Sequence, residues 1–234
     1  MDDSSRKAER PYHRQVEVLK QDIVQFSELA VQSVTDAVDS LKNIDRRLAD
    51  KVIRNDDLID KTDVEIERKA MELIALHQPM AIDLRVLGTS LKIITYLDRI
   101  GRYARDIAEV TLKIADQGHY KKVVTIPHMR DIAVGMVADA VKAYMNEDSE
   151  VAESVYDRDD SVDALYDEIF RECLTYMMED SKKITQSIHY ILVARYLERI
   201  ADNSCKIAEK AIYIATGRRR REYAEETGAE APRD

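Results

Sequence analysis

Carboxylates four residues apart recur along this 234-residue chain, and at that spacing two helical side chains share one face. The pairs are Asp56/Asp60, Asp159/Asp163 and Glu198/Asp202, with Asp98/Arg102 as a fourth, near-carboxylate pair. At 100° per residue, Ala194, Ala201 and Cys205 fall on one side of Glu198, and Arg195, Arg199 and Lys206 on the other. That pair therefore lies at the border of an apolar stripe, where a helix meets its neighbour. Asp159/Asp163 has the same setting beside Val155, Val162 and Tyr166. Acidic pairs on facing helices bring like charges together, which costs energy unless a proton or a cation compensates. Hard or borderline metal ions with oxygen ligands meet that need. The plainer reading is solvated carboxylate partnered by Arg and Lys. Recurrence of both pairs within the chain counts against it, because surface charge need not repeat in register.

Other chemistry finds little support. The five histidines (His13, His77, His119, His128 and His189) never stand three or four apart, and no HExxH or ExxH occurs. A ferritin-like di-iron centre needs ExxH on two helices. No Gly-rich phosphate loop, dinucleotide fingerprint or nucleophile elbow is present. Cys173 and Cys205 make no CxxC and read as two reduced core thiols.

The elements that must position the acids are long helices. Between Pro11 and Pro79 there is neither Gly nor Pro. There Val16, Leu19, Ile23, Phe26, Ala30, Val34, Ala37 and Leu41 follow at steps of three and four, an amphipathic stripe. A second helix is predicted over roughly 47–77 and a third over roughly 81–116, with HQPMAIDLR as the turn between them. The second half then repeats the first. Asn43, Asp45, Val52, Asp56-Asp57, Asp60 and Glu65-Ile66 match Asn146, Asp148, Val155, Asp159-Asp160, Asp163 and Glu168-Ile169 at one offset. At an offset shorter by three residues, Tyr96-Leu97, Arg99-Ile100 and Ile107-Ala108-Glu109 match Tyr196-Leu197, Arg199-Ile200 and Ile207-Ala208-Glu209. The slip falls where helices meet, and connections tolerate length change. The expected architecture is all-α: a tandem repeat of two three-helix bundles at 12–118 and 119–217. Residues 1–11 and a basic/acidic tail at 218–234 are expected to be disordered.

Composition agrees. Six Gly and four Pro are too few for a fold of many turns, and 35% charged with 45% hydrophobic residues reads as amphipathic helix. A net charge of −9 argues against nucleic acid as partner. No apolar run approaches the length of a membrane span and no secretory leader is visible, so a cytoplasmic protein is expected. Arg218–Arg221 read first as cations complementing the end of the last helix, and second as a contact for anionic lipid.

The stretch PMAIDLRVLGTSLKIITYLDRIGRYARDIAE resembles the PhoU family pattern P-x-A-x-DLR, then LKI, then D/E-RIGD-x-A-x-NIAE. RNDDLID and DRDDSVD resemble its acidic D-x-x-ID segments, and ARYLERIADNSCKIAE its second ERIxD helix. The resemblance spans roughly residues 12–216. It implies a non-enzymatic regulator of phosphate transport and phosphate-responsive signalling. Such a helical adaptor restrains a phosphate ABC transporter through its ATPase subunit, or a membrane sensor kinase, as a homodimer peripheral to the inner face of the membrane. It also implies multinuclear iron or zinc on motif positions that map to Asp159, Asp163, Glu198 and Asp202, and in the first unit to Asp56, Asp60 and Asp98. The alternative is a carboxylate-ligated metal protein with redox or hydrolytic activity. Three positions depart from the family pattern: Arg102 replaces an acid, and Asp106 and Lys206 replace Asn. A fixed guanidinium among the first unit's acids leads to the expectation that the second unit holds metal more readily.

Overall fold

The computed structural model describes the backbone of residues 3–227 and the side chains of residues 12–225. Eight α-helices follow in chain order: α1 Asp3–Asn43, α2 Arg46–His77, α3 Ile82–Ile114, α4 Thr125–Asn146, α5 Ser149–Tyr156, α6 Asp159–Glu179, α7 Ile184–Thr216 and α8 Arg220–Thr227. A 3₁₀ turn at Ser181–Lys183 joins α6 to α7, and no strand occurs among the described residues. The all-α tandem repeat is therefore the observed architecture. α1, α2 and α3 form the first unit, and α4 to α7 the second.

The repeat extends to the turns. Ile44 and Glu147, equivalent in the two halves, both adopt left-handed backbone, at φ 52° and 53°. The next residue in each half caps the following helix. Asp45 accepts from the Arg47 and Leu48 amides, and Asp148 from those of Glu150 and Val151. Each carboxylate satisfies amides that a helix start leaves without intrahelical partners. The Asn-x-Asp match seen in the sequence is thus a repeated C-cap and N-cap.

The middle helix is continuous in the first unit and broken at Asp157–Arg158 in the second. At the break the Arg158 amide bonds Val155 O, three residues back, rather than four. The Tyr156 hydroxyl donates to Cys205 O on α7, and Arg158 pairs with Asp139 on α4. These tertiary anchors, with no Gly or Pro nearby, hold the interruption.

α1, α3, α4 and α7 make a central layer; α2 packs on α1 and α3, and α6 on α4 and α7. Core residues of both units form one contiguous cluster. α3 and α7 cross that layer antiparallel. Tyr103 stacks on Tyr196 near their middle at 6.0 Å between ring centroids, and Arg85 at the start of α3 lies over Tyr213 at the end of α7. Gly217 closes α7 at φ 76°, and a Cβ there would stand 2.7 Å from Arg85 Nη1.

Over 3–11 the backbone is drawn as a continuation of α1, the low-cost extension of a helix already nucleated. The tail expected to be disordered from 218 forms α8 over Arg220–Thr227; residues 1–2 and 228–234 lie outside the described residues. Arg220 is buried, its guanidinium 3.4 Å from the Tyr156 ring centroid and 3.4 Å from Glu153. One of the four basic residues thus folds inward as a cation–π and ion-pair anchor.

Gly101 shows how the repeat keeps its volume. A Cβ at Gly101 would meet Ile59 Cδ1 at 2.4 Å and Cγ2 at 2.9 Å. The second unit carries Ala201 and Val162 at the equivalent positions, exchanging one methyl between the facing helices. Gly101→Ala is expected to destabilise by about 1–3 kcal/mol through overpacking. The double variant Gly101→Ala/Ile59→Val, which copies the second unit, is expected to recover most of that loss in thermal unfolding. Additive losses would contradict this account.

Candidate functional site

The candidate acids lie on two outer–inner helix seams, α2 against α3 and α6 against α7. In the first unit guanidinium groups interleave them. Arg102 Nε lies 3.0 Å from Asp98 Oδ2 and Nη2 lies 3.4 Å from Asp60 Oδ1. Arg105 Nη1 lies 2.7 Å from Asp56 Oδ2, and its Nη2 is 3.0 Å from Asp106 Oδ1. Asp56, Asp60 and Asp98 are therefore brought to one seam, each already paired by an arginine of this chain. Burial still outweighs the guanidinium beside it and holds the Asp98 carboxyl above the usual range. Asp63 goes further, pushed up to about 6 by burial and then by Asp98 and Glu67, and its Oδ1 is buried with no hydrogen-bond partner.

The second unit collects Asp159, Asp163, Glu198 and Asp202 closely enough that they repel one another. Asp159 is pushed up to about 6 by burial first, then by Asp163 and Asp202. Asp163 is raised by burial, Asp202 and Asp160, and Glu198 by burial and Asp202. Arg195 pairs with Glu198 Oε1, whereas Glu198 Oε2 is buried without a hydrogen-bond partner. Arg195 reaches this seam, whereas Lys206 is exposed. Cys173 is a buried free thiol, as expected. Cys205 is instead half-buried beside the acids; burial first and then Asp159 push its pKa up strongly.

Sequence reasoning missed Asp63, Arg105 and Cys205 as parts of these seams. The signal for two of them lay in the repeat: Arg105 in the first unit stands where the second has Cys205, just as Arg102 stands where it has Asp202. Two arginines therefore replace an acid and a thiol at equivalent places.

A model of the PhoU domain matches residues 23–111 and again 126–211. The chain belongs to the PhoU family. It is 36% identical over 208 residues to a Clostridium acetobutylicum protein named phosphate-specific transport system accessory protein PhoU homolog, covering 88% of this chain and 95% of that one. A Rhizobium meliloti protein of the same name is 36% identical over 207 residues, covering 88% of this chain and 87% of that one. The crystal structure of PhoU from Pseudomonas aeruginosa superposes with a TM-score of 0.84 at 32% identity, covering 88% of this chain and all of that one. The two matched segments coincide with the two helical units. None of these relatives supports the redox or hydrolytic alternative.

The metal that the family resemblance implies can be weighed against these side chains. Among the described residues no group of three or more His, Cys, Asp and Glu stands ready to hold a metal ion. The first unit suits one less well: Arg102 and Arg105 engage Asp56, Asp60 and Asp98, although Asp56 Oδ1 and Asp63 Oδ1 are buried without a hydrogen-bond partner. The second offers suitable donor chemistry: clustered carboxylate oxygens, with Glu198 Oε2 unpartnered.

The raised carboxyls set a pH dependence. A carboxyl whose folded value is about 6, against roughly 3.9 unfolded, binds its proton more tightly in the folded state between those values. Its stabilising contribution is full below about pH 4, falls as pH rises through 6, and is flat above. Asp159→Asn keeps the shape of the side chain and removes the repulsion. It is expected to raise Tm at pH 7 by about 2–4 °C, the scale of 1 kcal/mol for a domain of this size. It is also expected to leave Tm at pH 4 nearly unchanged. A lower Tm at pH 7 would contradict the repulsion.

Proposed function

We propose that this chain regulates phosphate transport without chemistry of its own, docking on the ATPase subunit of a phosphate ABC transporter and restraining uptake when phosphate is plentiful. The observation that supports this most is the agreement of two full PhoU domains with relatives named as accessory proteins of the phosphate-specific transport system. The physical form of the molecule suits the role. Helices of about 50 to 60 Å share one core and offer a stiff surface. A stiff surface biases a partner by binding one of its conformations more tightly than the other. No helix among the described residues is long and apolar enough to cross a membrane, so action at the inner membrane face would run through partners, the transporter or a sensor kinase. Loss of the gene is expected to raise phosphate uptake or phosphate-regulated expression in phosphate-rich medium, measured with radiolabelled phosphate. Unchanged uptake and expression would count against the proposal.

A second reading concerns the acids of the second unit. The unpartnered Glu198 Oε2 favours a cation held by Asp159, Asp163, Glu198 and Asp202, with iron or zinc as the candidates. Bound there, the ion would neutralise the cluster. A fixed guanidinium beside a cation at 4 Å repels it by about 4 kcal/mol at an effective dielectric near 20; the first unit sets two, Arg102 and Arg105, among its acids, the second one, Arg195 on Glu198, so the penalty falls more heavily on the first. Titration with zinc and iron(II) is expected to load one unit. Asp202→Asn is expected to lose most of that metal, and Arg102→Asp to gain a second site. Equal loading of both units, or no loss in Asp202→Asn, would refute it.

A further inference from the structure

The seam that carries the second unit's acids continues, toward the α6–α7 turn, into an exposed apolar surface. From Asp163 the same face of α6 passes through Phe170, Leu174 and Met178. On α7, running back from Glu198 and Asp202, it passes through Leu192, Ile188 and Ile184. The helices are antiparallel neighbours joined by the short turn at Ser181–Lys183, and the acids Asp163 and Asp202 interact across them. That register sets Met178 level with Ile184, Leu174 with Ile188, and Phe170 with Leu192. The six side chains are between 39% and 82% exposed. Phe170 also stacks on Tyr166, centroids 6.4 Å apart, which extends the surface toward the acids.

Single exposed apolar residues are ordinary; two adjacent rows at i, i+4 and i+8 are a contiguous patch of the kind that marks interaction sites. The first unit exposes apolar side chains at its own hairpin, Met71, Leu76, Met80, Ile82 and Leu84, but not in two unbroken rows. Its equivalent positions are Glu67, Met71, Ala75, Leu84, Gly88 and Lys92, so the rows there are broken by two charges and a glycine. Packing within a unit therefore does not require the rows, since the same fold forms without them. The charge environment differs in the same sense: Arg102 and Arg105 neutralise the first seam from within, whereas the second keeps Asp159, Asp163 and Asp202 with Arg195 engaged on Glu198.

We infer that the α6–α7 face is the docking surface for an amphipathic helix of a partner protein, whose apolar row lies on Phe170, Leu174, Met178, Ile184, Ile188 and Leu192 and whose Lys or Arg residues meet the acids at the far end. An apolar helix stripe laid against two antiparallel helices is a recurrent recognition mode. The partner's cation supplies from outside what the first unit supplies from its own sequence. This inference rests on the proposal that the ATPase subunit is the partner, and it assigns the surface used.

The test titrates the purified ATPase subunit of the same organism's phosphate transporter into the labelled full chain, in EDTA so that no metal competes for the acids. Leu174→Asp/Ile188→Asp is expected to weaken binding by at least about 10-fold, with an unchanged circular-dichroism spectrum because both side chains are exposed. Met71→Asp, at the first-unit equivalent of Leu174, is expected to bind as the wild type does. Asp159→Asn/Asp163→Asn is expected to weaken binding and to flatten its salt dependence. Undiminished binding by Leu174→Asp/Ile188→Asp, or equal loss in Met71→Asp, would overturn this surface while leaving the ATPase as partner. Absence of binding by the wild type would overturn both. Sedimentation of the chain alone separates the remaining occupant: if the Leu174/Ile188 variant abolishes self-association but keeps ATPase affinity, the face joins two copies and the inference fails.

Discussion

Carboxylates set in the seam between an outer and an inner helix must find a positive charge or keep a proton, and much of what distinguishes the two halves of this molecule follows from how each meets that demand. Both halves put acids at the same places because the helices carrying them repeat. In the first, Arg102 and Arg105 reach across from α3 to Asp60 and Asp56, and Arg102 also pairs with Asp98 on its own helix. In the second, Asp202 and Cys205 occupy those places, and the carboxyl of Asp159 rises to about 6. The first seam pairs three of its acids with its own arginines and leaves Asp63 raised; the second has Arg195 on Glu198 and leaves Asp159, Asp163 and Asp202 to a proton or an external cation.

The same division appears in the apolar surface. Toward its hairpin the charged first seam is interrupted by Glu67, Gly88 and Lys92, while the second runs into two uninterrupted rows. Duplication supplies a second copy of every position, and only one copy of each has to serve the fold in its original form. The exchange of Gly101 and Ile59 for Ala201 and Val162 shows a core constraint kept across the copies. The Arg102/Asp202 and Gly88/Ile188 differences show surface positions that moved apart.

The helices, the repeat and the membership of the acid pairs were legible in the sequence because they depend on short periods: apolar residues every three or four, acids four apart, caps at Asp45 and Asp148. The break after Tyr156 was not, because contacts with Cys205 and Asp139 hold it and no local signal marks it. Arg105 was missed for a similar reason, since its partner Asp56 is 49 residues away and becomes a neighbour only when α2 packs on α3. Arg220 read as a surface cation from its place in a run of four arginines. Burial beside Tyr156 and Glu153 follows from where α8 lands, which the run itself does not encode.

The central claim is that Asp159, Asp163, Glu198 and Asp202 of the second seam need a cation, whereas Asp56, Asp60 and Asp98 of the first are paired by Arg102 and Arg105. Carbon-13 NMR titration of the Asp159 carboxyl in the isolated, metal-free chain tests it most directly. The account requires a midpoint near 6 that falls when a cation-bearing partner or a metal is added. A midpoint near 4 in the free chain, unmoved by either addition, would contradict it.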